Sequence, residues 1–364
     1  MLLVQLPYHI IFILISILAI FENKNFNFYL KYKSFFKLFG LGTILIFMGL
    51  KYHVGGDWGS YLNYFNDVSS GNIQIRNFSN DIGWYALNYI TIKLNLPFAT
   101  LNTVAAIIFL IGIHSNAKLY ANYWLFYLIL TPYFIFIVGM GYTRQSISIG
   151  LLLISISYLL KESNIKTFLI FLILILIGSL FHKSILIFTV LPLLIMKINI
   201  FKLCILILTL YLFFLLTFFL LLDGNIFRRI LYFFESSYSS FGAYLRTFIL
   251  IILAFFNLLV VNKFEQNSLK LRFNKNFSIL LLIISFLIFL SPSTVIIDRL
   301  LLYFHILFSS SLLTIYEYSK NQFNRNFILN LMIFLGFAFL IIWFSFAENS
   351  FSWLPYQNYI LMMF

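Results

Sequence analysis

Runs of roughly 16–22 apolar residues recur along this chain and constrain it more than any other feature, because about 20 such residues span a bilayer as a helix. Lipid cannot hydrogen-bond a backbone, so a spanning segment must be a helix or part of a closed barrel. The runs are continuous rather than alternating, which selects helices. A chain that is 62% hydrophobic and 10% charged has too little polar surface for a water-soluble domain of this size. The expected fold is an all-α polytopic membrane protein with about twelve transmembrane helices. They fall near 2–21, 36–52, 100–117, 122–140, 145–160, 165–181, 184–196, 200–222, 243–262, 276–291, 299–317 and 326–346. No repeat or linker interrupts them, so residues 1–364 read as a single transmembrane domain with outer loops near 51–99 and 223–242.

Charge sets the orientation. Lys24, Lys31, Lys33 and Lys37 lie between the first two expected spans. Lys118, Lys161, Lys166, Lys197, Lys202, Lys263, Lys270, Lys275 and Lys320 fall in every second connection thereafter. Cytoplasmic loops carry the excess of basic residues, so these connections are expected inside and both termini outside. Lys51, Lys93 and Lys183 fall on the other side. The net charge of +13 therefore reads as loop lysine. No basic stripe with interleaved aromatics accompanies it, so no nucleic-acid partner is expected. The N-terminal run lacks a basic leader and a small-residue cleavage site and reads as a retained first span. Cys204, the single cysteine, excludes an internal disulfide and a cysteine metal cluster.

Arginine runs opposite to lysine. Arg76, Arg144, Arg228, Arg229, Arg246 and Arg299 fall on the outer side, and only Arg272 and Arg325 on the inner. Guanidinium is the better bidentate partner for carboxylate or phosphate, so the outer face reads as built to hold an anion, with pairing to outer acids such as Asp57, Asp223 or Glu235 as the plainer explanation. Two greasy segments joined by KESNIK form a hairpin over 139–184, which puts Arg144 at one helix mouth and His182 at the next on the same face. Charged side chains at a membrane surface are costly and point to function.

The longest polar stretch, Lys51 to Thr100, is too polar to span, and 57–66 and 81–94 are expected as short interfacial helices with Asp57 and Asp81 as N-caps. Gly55 and Gly56 precede Asp57 and permit a tight turn. A carboxylate there can serve as general base on a sugar hydroxyl, and capping does not preclude it. His182 reads as a proton carrier or phosphate donor. Asp298 and Arg299 form a charged pair at the head of a span, bridging each other or leaving the arginine to face a cavity. His9, His114 and His305 lie within apolar runs and read as structural. The chain has no P-loop, HExxH, nucleophile elbow or dinucleotide glycine pattern, and neither a metal nor a cofactor is expected.

Three segments, GGDWGSYLNYF at 55–65, YTRQSISIGLLLISISYLL with FHKSILIF over 142–188, and DRLLLYF at 298–304, resemble the EpsG-like branch of the Wzy-type polysaccharide (O-antigen) polymerases, as does WLPYQNY at 353–359. The likeness runs in order along nearly the whole chain. It implies a C-type glycosyltransferase architecture in the bacterial inner membrane, with a metal-independent site on the outer, periplasmic face. The donor would be a glycan on undecaprenyl diphosphate, the acceptor a lipid-linked repeat unit, and a chain-length regulator a possible partner. On this reading Arg144 and Arg299 hold the diphosphate, assisted by Arg76, Arg246 and His182. Asp57 is the preferred base and His182 the second candidate, while Trp58, Tyr61 and His53 offer a sugar-facing surface. An O-antigen ligase would differ only in its acceptor. A flippase would carry cations deep within its spans and show repeats, and neither feature is evident. An acyltransferase would need a partnered intramembrane histidine.

Overall fold

The computed structural model describes residues 2–73, 81–192, 242–261, 268–290, 294–319 and 321–360. The expected span at 200–222, Cys204, Arg76, Arg228, Arg229, Asp223 and Glu235 lie outside the described residues. The chain is built of helices: α1 (Leu2–Asn23), α2 (Asn27–Lys31), α3 (Lys33–Gly49), α4 (Trp58–Ser69), α5 (Ile82–Lys93), α6 (Ala99–Ala117) and α7 (Tyr123–Leu130). Beyond them come α8 (Thr143–Lys161), α9 (Ile165–Ser179), α10 (Ala243–Val261), α11 (Leu269–Leu290), α12 (Thr294–Leu301), α13 (Ile306–Tyr318) and α14 (Gln322–Phe346). Two short strands, β1 (Lys51–Tyr52) and β2 (Gln357–Asn358), pair antiparallel with Lys51 opposite Asn358. Among the described residues five helices, α1, α6, α8, α10 and α14, are long and apolar enough to cross a membrane, and two more apolar helices, Tyr123–Gly139 and Ile165–Ser179, are shorter.

The departures from expectation have local causes. Lys183–Val190 is a 3-10 helix of 8 residues rather than the start of a spanning α-helix; Pro192 soon follows, and proline lacks the N–H that would extend a helical ladder. The expected span at 299–317 begins earlier and is broken, α12 passing through the 3-10 segment Leu302–His305 into α13. Helix α3 stops at Gly49, so Lys51 lies beyond it. The interfacial helices form as α4 and α5.

Helix α8 is the centre of the bundle, and small residues let it be so. A Cβ on Gly112 of α6 would sit 2.5 Å from the Gly150 carbonyl oxygen of α8, and one on Gly150 would sit 2.7 Å from the Ile108 carbonyl. Association of helices in lipid depends on such close backbone approach, because lipid tails are as apolar as the side chains. Asn116 Nδ2 donates to Leu153 O across the same seam at 2.6 Å, and Ser148 Oγ donates to Gly178 O at 2.7 Å, binding α8 to α9.

The two ends of the bundle differ in chemistry. At one, Glu22 accepts from Trp124 N at 2.9 Å and pairs with Lys33 at 3.1 Å, while Glu317 accepts from Ala121 N at 2.7 Å and pairs with Lys270 at 3.1 Å. The other end gathers Arg144, Arg246 and Arg299. Replacing Gly150 by Val should therefore separate α6 from α8 and cost about 1–3 kcal/mol of overpacking strain or more. The check is the unfolding temperature and monodisperse yield of the purified variant; an unchanged melting curve would show that this seam does not hold the bundle together.

Candidate functional site

The site is built around a break in the backbone. Helix α7 widens into a π-helix over Thr131–Gly139, entered at Pro132, and such turns often mark functional positions. Regular helical geometry then breaks at Tyr142, with φ −119° and ψ 68°, before α8 starts at Thr143. Carbonyl groups freed from a ladder at membrane depth need partners within the protein. Met140 O accepts from Lys51 Nζ, and Phe136 O accepts from Trp353 Nε1 at 3.0 Å. Gly55, at φ +105, lies so near the same elbow that a Cβ would come within 2.7 Å of Met140 O. A Cβ on Gly141 would meet the Trp353 ring at 2.5 Å. Gly55 N in turn donates to Ser352 O at 2.8 Å, and Tyr8 OH to Trp353 O at 2.9 Å. The C-terminal strap that carries β2 and Trp353 thus closes over the elbow.

From this elbow Arg144 projects in the first turn of α8. Its Nη1 pairs with Asp81 Oδ2 at 2.7 Å, its guanidinium lies 5.5 Å from the Tyr61 ring centroid, and its Nε is buried without a hydrogen-bond partner. Asp81 reaches it because α5 docks on the end of α9: Gly83 N donates to Leu180 O at 2.8 Å, and a Cβ on Gly83 would crowd Leu180. Asp81 adopts a left-handed φ of 33°, and neither its side chain nor that of Asp57 makes the expected capping hydrogen bond. Both occupy N-cap positions, but Asp81 spends its carboxylate on Arg144, and Asp57 Oδ2 accepts from Tyr61 OH at 3.4 Å.

His182 follows α9 immediately. Its Nδ1 lies 2.6 Å from Ser184 Oγ, which lies 2.8 Å from Tyr303 OH. Burial, and then the positive charges of Arg144 and Arg299, push its pKa down to about 3, so the imidazole is neutral at physiological pH. Gln145 Nε2 donates to Arg299 O at 2.6 Å and fixes α12 against α8. The Arg299 side chain is exposed, 6.0 Å from the Tyr142 ring centroid, and makes no ion pair among the described residues.

Several expected assignments change. Asp298 does not bridge Arg299; it binds Arg246 with two hydrogen bonds, Nε to Oδ1 at 2.8 Å and Nη2 to Oδ2 at 2.7 Å. Arg246 is therefore engaged by a carboxylate, whereas Arg299 makes no ion pair among the described residues. Trp58 and Tyr61 are 5% and 6% exposed and pack with Trp84, Phe98 and Ile147, so they seat α4 rather than offering bare faces. His53 is exposed, at φ 52°, with its ring 4.1 Å from that of Trp58. His305 is buried and stacks on Tyr133 at 4.5 Å, in keeping with its structural reading. The participants that sequence reasoning missed are Lys51, Ser184, Tyr303, Gln145 and Trp353. Ser184 and Tyr303 each lie inside a quoted motif, but nothing in one-dimensional order links them.

The model of the EpsG family matches residues 34–358. The chain belongs to the EpsG family. No curated protein and no solved structure gives a match. All the site segments of this EpsG-family chain, from β1 to β2, fall within the matched region.

Lys51 gives the site a measurable signature. Burial pushes its ammonium down from 10.5 to about 7, against the attraction of Asp57. Between these values the unfolded chain binds the proton and the folded one does not, so stability rises with pH across that window and is flat outside it. One such group contributes at most about 1.4 kcal/mol per pH unit. Unfolding temperatures of wild type and Lys51→Met, compared from neutral to alkaline pH, should diverge in favour of the wild type as pH rises. Parallel curves would mean that Lys51 is charged and solvated in the folded protein.

Proposed function

We propose that this EpsG-family chain is a polysaccharide polymerase, a glycosyltransferase that extends a lipid-diphosphate-linked glycan by one repeat unit. The observation that carries the reading is the convergence of Arg144, Arg299 and His182 at the arginine end of the bundle. Arg144 pairs with Asp81, two residues from Gly83, whose N–H donates to Leu180 O two residues before His182, and Arg299 O is held by Gln145, the neighbour of Arg144. Fixed cations beside a neutral base suit a reaction that expels a diphosphate and removes a hydroxyl proton. The lysine distribution supports placing this end on the outer face of the bacterial inner membrane, where undecaprenyl-diphosphate-linked donor and acceptor would meet.

In the proposed reaction a hydroxyl of the acceptor sugar attacks the anomeric carbon of the donor glycan. The new carbon–oxygen bond forms as the bond to the diphosphate oxygen breaks. The lipid diphosphate leaves with the electron pair, and the hydroxyl proton passes to a protein base. Arg299, exposed and without an ion-pair partner among the described residues, meets the diphosphate first. Arg144 offers the diphosphate a guanidinium already oriented by Asp81, whose Nε has no partner. We assign the base to His182 ahead of Asp57. Burial is the main cause of the low His182 pKa, and a diphosphate between the two arginines would offset the lesser part that their charges add. Asp57 lies by Lys51, Tyr61 and Arg144 and fits a role in holding the acceptor turn.

The test is complementation of a deletion strain, read as banding of the surface glycan. Deletion should leave a single repeat unit on its acceptor, and wild type should restore the ladder. Arg144→Ala and Arg299→Ala should each lower polymerisation about a hundredfold or more. Arg144→Lys should not rescue, since lysine cannot reproduce a guanidinium fork. His182→Gln should abolish the ladder while Asp57→Asn retains one; the reverse pattern returns the base to Asp57. A full ladder from Arg144→Ala and Arg299→Ala together would end the diphosphate assignment. Complete loss of surface glycan on deletion would point to a ligase or flippase instead.

A further inference from the structure

Two phosphoryl groups joined by one bridging oxygen make a compact anion, and two guanidinium groups can grip it together only if their separation is fixed. Arg144 has its side chain placed by Asp81 at 2.7 Å. Arg299 makes no ion pair among the described residues, so its placement has to come from other contacts. It lies in the last turn of α12, a helix of only eight residues that passes at once into the 3-10 segment Leu302–His305. Carbonyl groups in a last turn run short of partners within the helix.

One turn of chain supplies those contacts, and it is the turn that carries Arg144. Tyr142 is the N-cap of α8, and Thr143, Arg144 and Gln145 open the helix. Gln145 is 2% exposed, and its Nε2 donates to Arg299 O at 2.6 Å. A carbonyl oxygen only accepts, so the sense of this bond is fixed. At the other end of the same residue, the Arg299 guanidinium carbon lies 6.0 Å from the Tyr142 ring centroid, within range of a cation–π attraction. The turn therefore touches Arg299 at its backbone through Gln145 and at its charged tip through Tyr142. Successive helix residues point about 100° apart, so Arg144 can reach Asp81 while its neighbour Gln145 reaches α12.

We propose that Gln145 and Tyr142 are positioning residues that set the separation of the Arg144 and Arg299 guanidinium groups to that of a single diphosphate. The inference rests on the polymerase reading for what the diphosphate is attached to, but not for the pairing of the two arginines. Gln145 holds the backbone from which Arg299 springs, and the Tyr142 ring limits where a long, flexible side chain settles. Neither residue touches the ligand. Without them the two arginines remain cationic but no longer form one clamp, and misplacement of a binding group by about 1 Å costs on the order of a hundredfold.

The test is calorimetric titration of the full-length protein, reconstituted in lipid nanodiscs, with inorganic pyrophosphate. Gln145→Leu loses the donor, and Gln145→Glu sets an ionised carboxylate against the carbonyl; each should weaken binding about tenfold or more. Tyr142→Leu should weaken it as well, whereas Tyr142→Phe, which keeps the ring, should bind as wild type does. Gln145→Leu added to Arg299→Ala should bring no further loss, read against the residual affinity that Arg144 supplies, because a residue acting only through Arg299 then has nothing to place. If Gln145→Leu does not fold, Gln145→Glu and Tyr142→Leu carry the comparison. Wild-type affinity in the Gln145 variants, or losses that multiply in the double variant, overturns the inference. So does wild-type protein that fails to bind pyrophosphate, whether or not it polymerises. Pyrophosphate binding with the expected coupling, in a protein that makes no polymer from lipid-linked repeat units, overturns the functional reading alone.

Discussion

The backbone break between the π-helix and α8 is the constraint on which the rest of this structure depends. A chain at membrane depth cannot leave carbonyl groups bare, yet a π-helix and a break at Tyr142 loosen the regular ladder there. Here they are met by groups from distant parts of the sequence: Lys51 on Met140 and Trp353 on Phe136. The Gly55 turn fills the remaining space. The loop after α3 and the C-terminal strap are joined by β1–β2 pairing for the same reason. Residues far apart in order thus form one collar around the point from which Arg144 emerges. The break has to be exact in space because the first turn of α8 supplies both that arginine and Gln145.

Charge at the site follows from the cost of burying it. Arg144 and Arg246 are each partly withdrawn from water, and each has a carboxylate at 2.7 Å. A buried pair of this kind adds little net stability, but removing one partner leaves an uncompensated charge and is strongly destabilising. Asp81 and Asp298 therefore act less as glue than as conditions for keeping these guanidinium groups in place. The consequences differ for the two arginines. Arg246 is gripped side-on through Nε and Nη2, whereas Arg144 is held by its carboxylate through one amino group and has a buried, unpartnered Nε.

Much of the architecture was legible in the sequence, because hydropathy and lysine parity are averages over many residues. The spans at α1, α6, α8, α10 and α14 appear where the apolar runs lie, and α9 forms there as a shorter apolar helix. The failures occur where a single contact outweighs a local pattern. Lys183–Val190 is as apolar as its neighbours, yet tertiary packing and the approaching Pro192 make it a 3-10 turn. Asp81 has the place of an N-cap, but a guanidinium is a stronger partner for a carboxylate than a backbone N–H. Trp58 and Tyr61 look like sugar platforms in one dimension, and α4 turns both inward. The pairing of Asp298 with Arg246 rather than with adjacent Arg299 could not have been read, since it spans 52 residues.

That last pairing explains how two successive charged residues on α12 acquire opposite roles. Neighbours on a helix point about 100° apart, so Asp298 and Arg299 cannot share one partner. Asp298 faces α10, where Arg246 grips it. The backbone of Arg299 faces α8, where Gln145 grips its carbonyl. The short helix is thereby fixed on two sides, and the one group left over is the Arg299 side chain, exposed at the arginine end. An arginine held by its backbone and by its neighbour's side chain can keep its own guanidinium for a ligand. The same helix continues into the 3-10 turn that delivers Tyr303 to Ser184. A displacement of α12 would consequently disturb the open cation and the orientation of His182 together, which makes the Arg246–Asp298 pair the mechanical anchor of both.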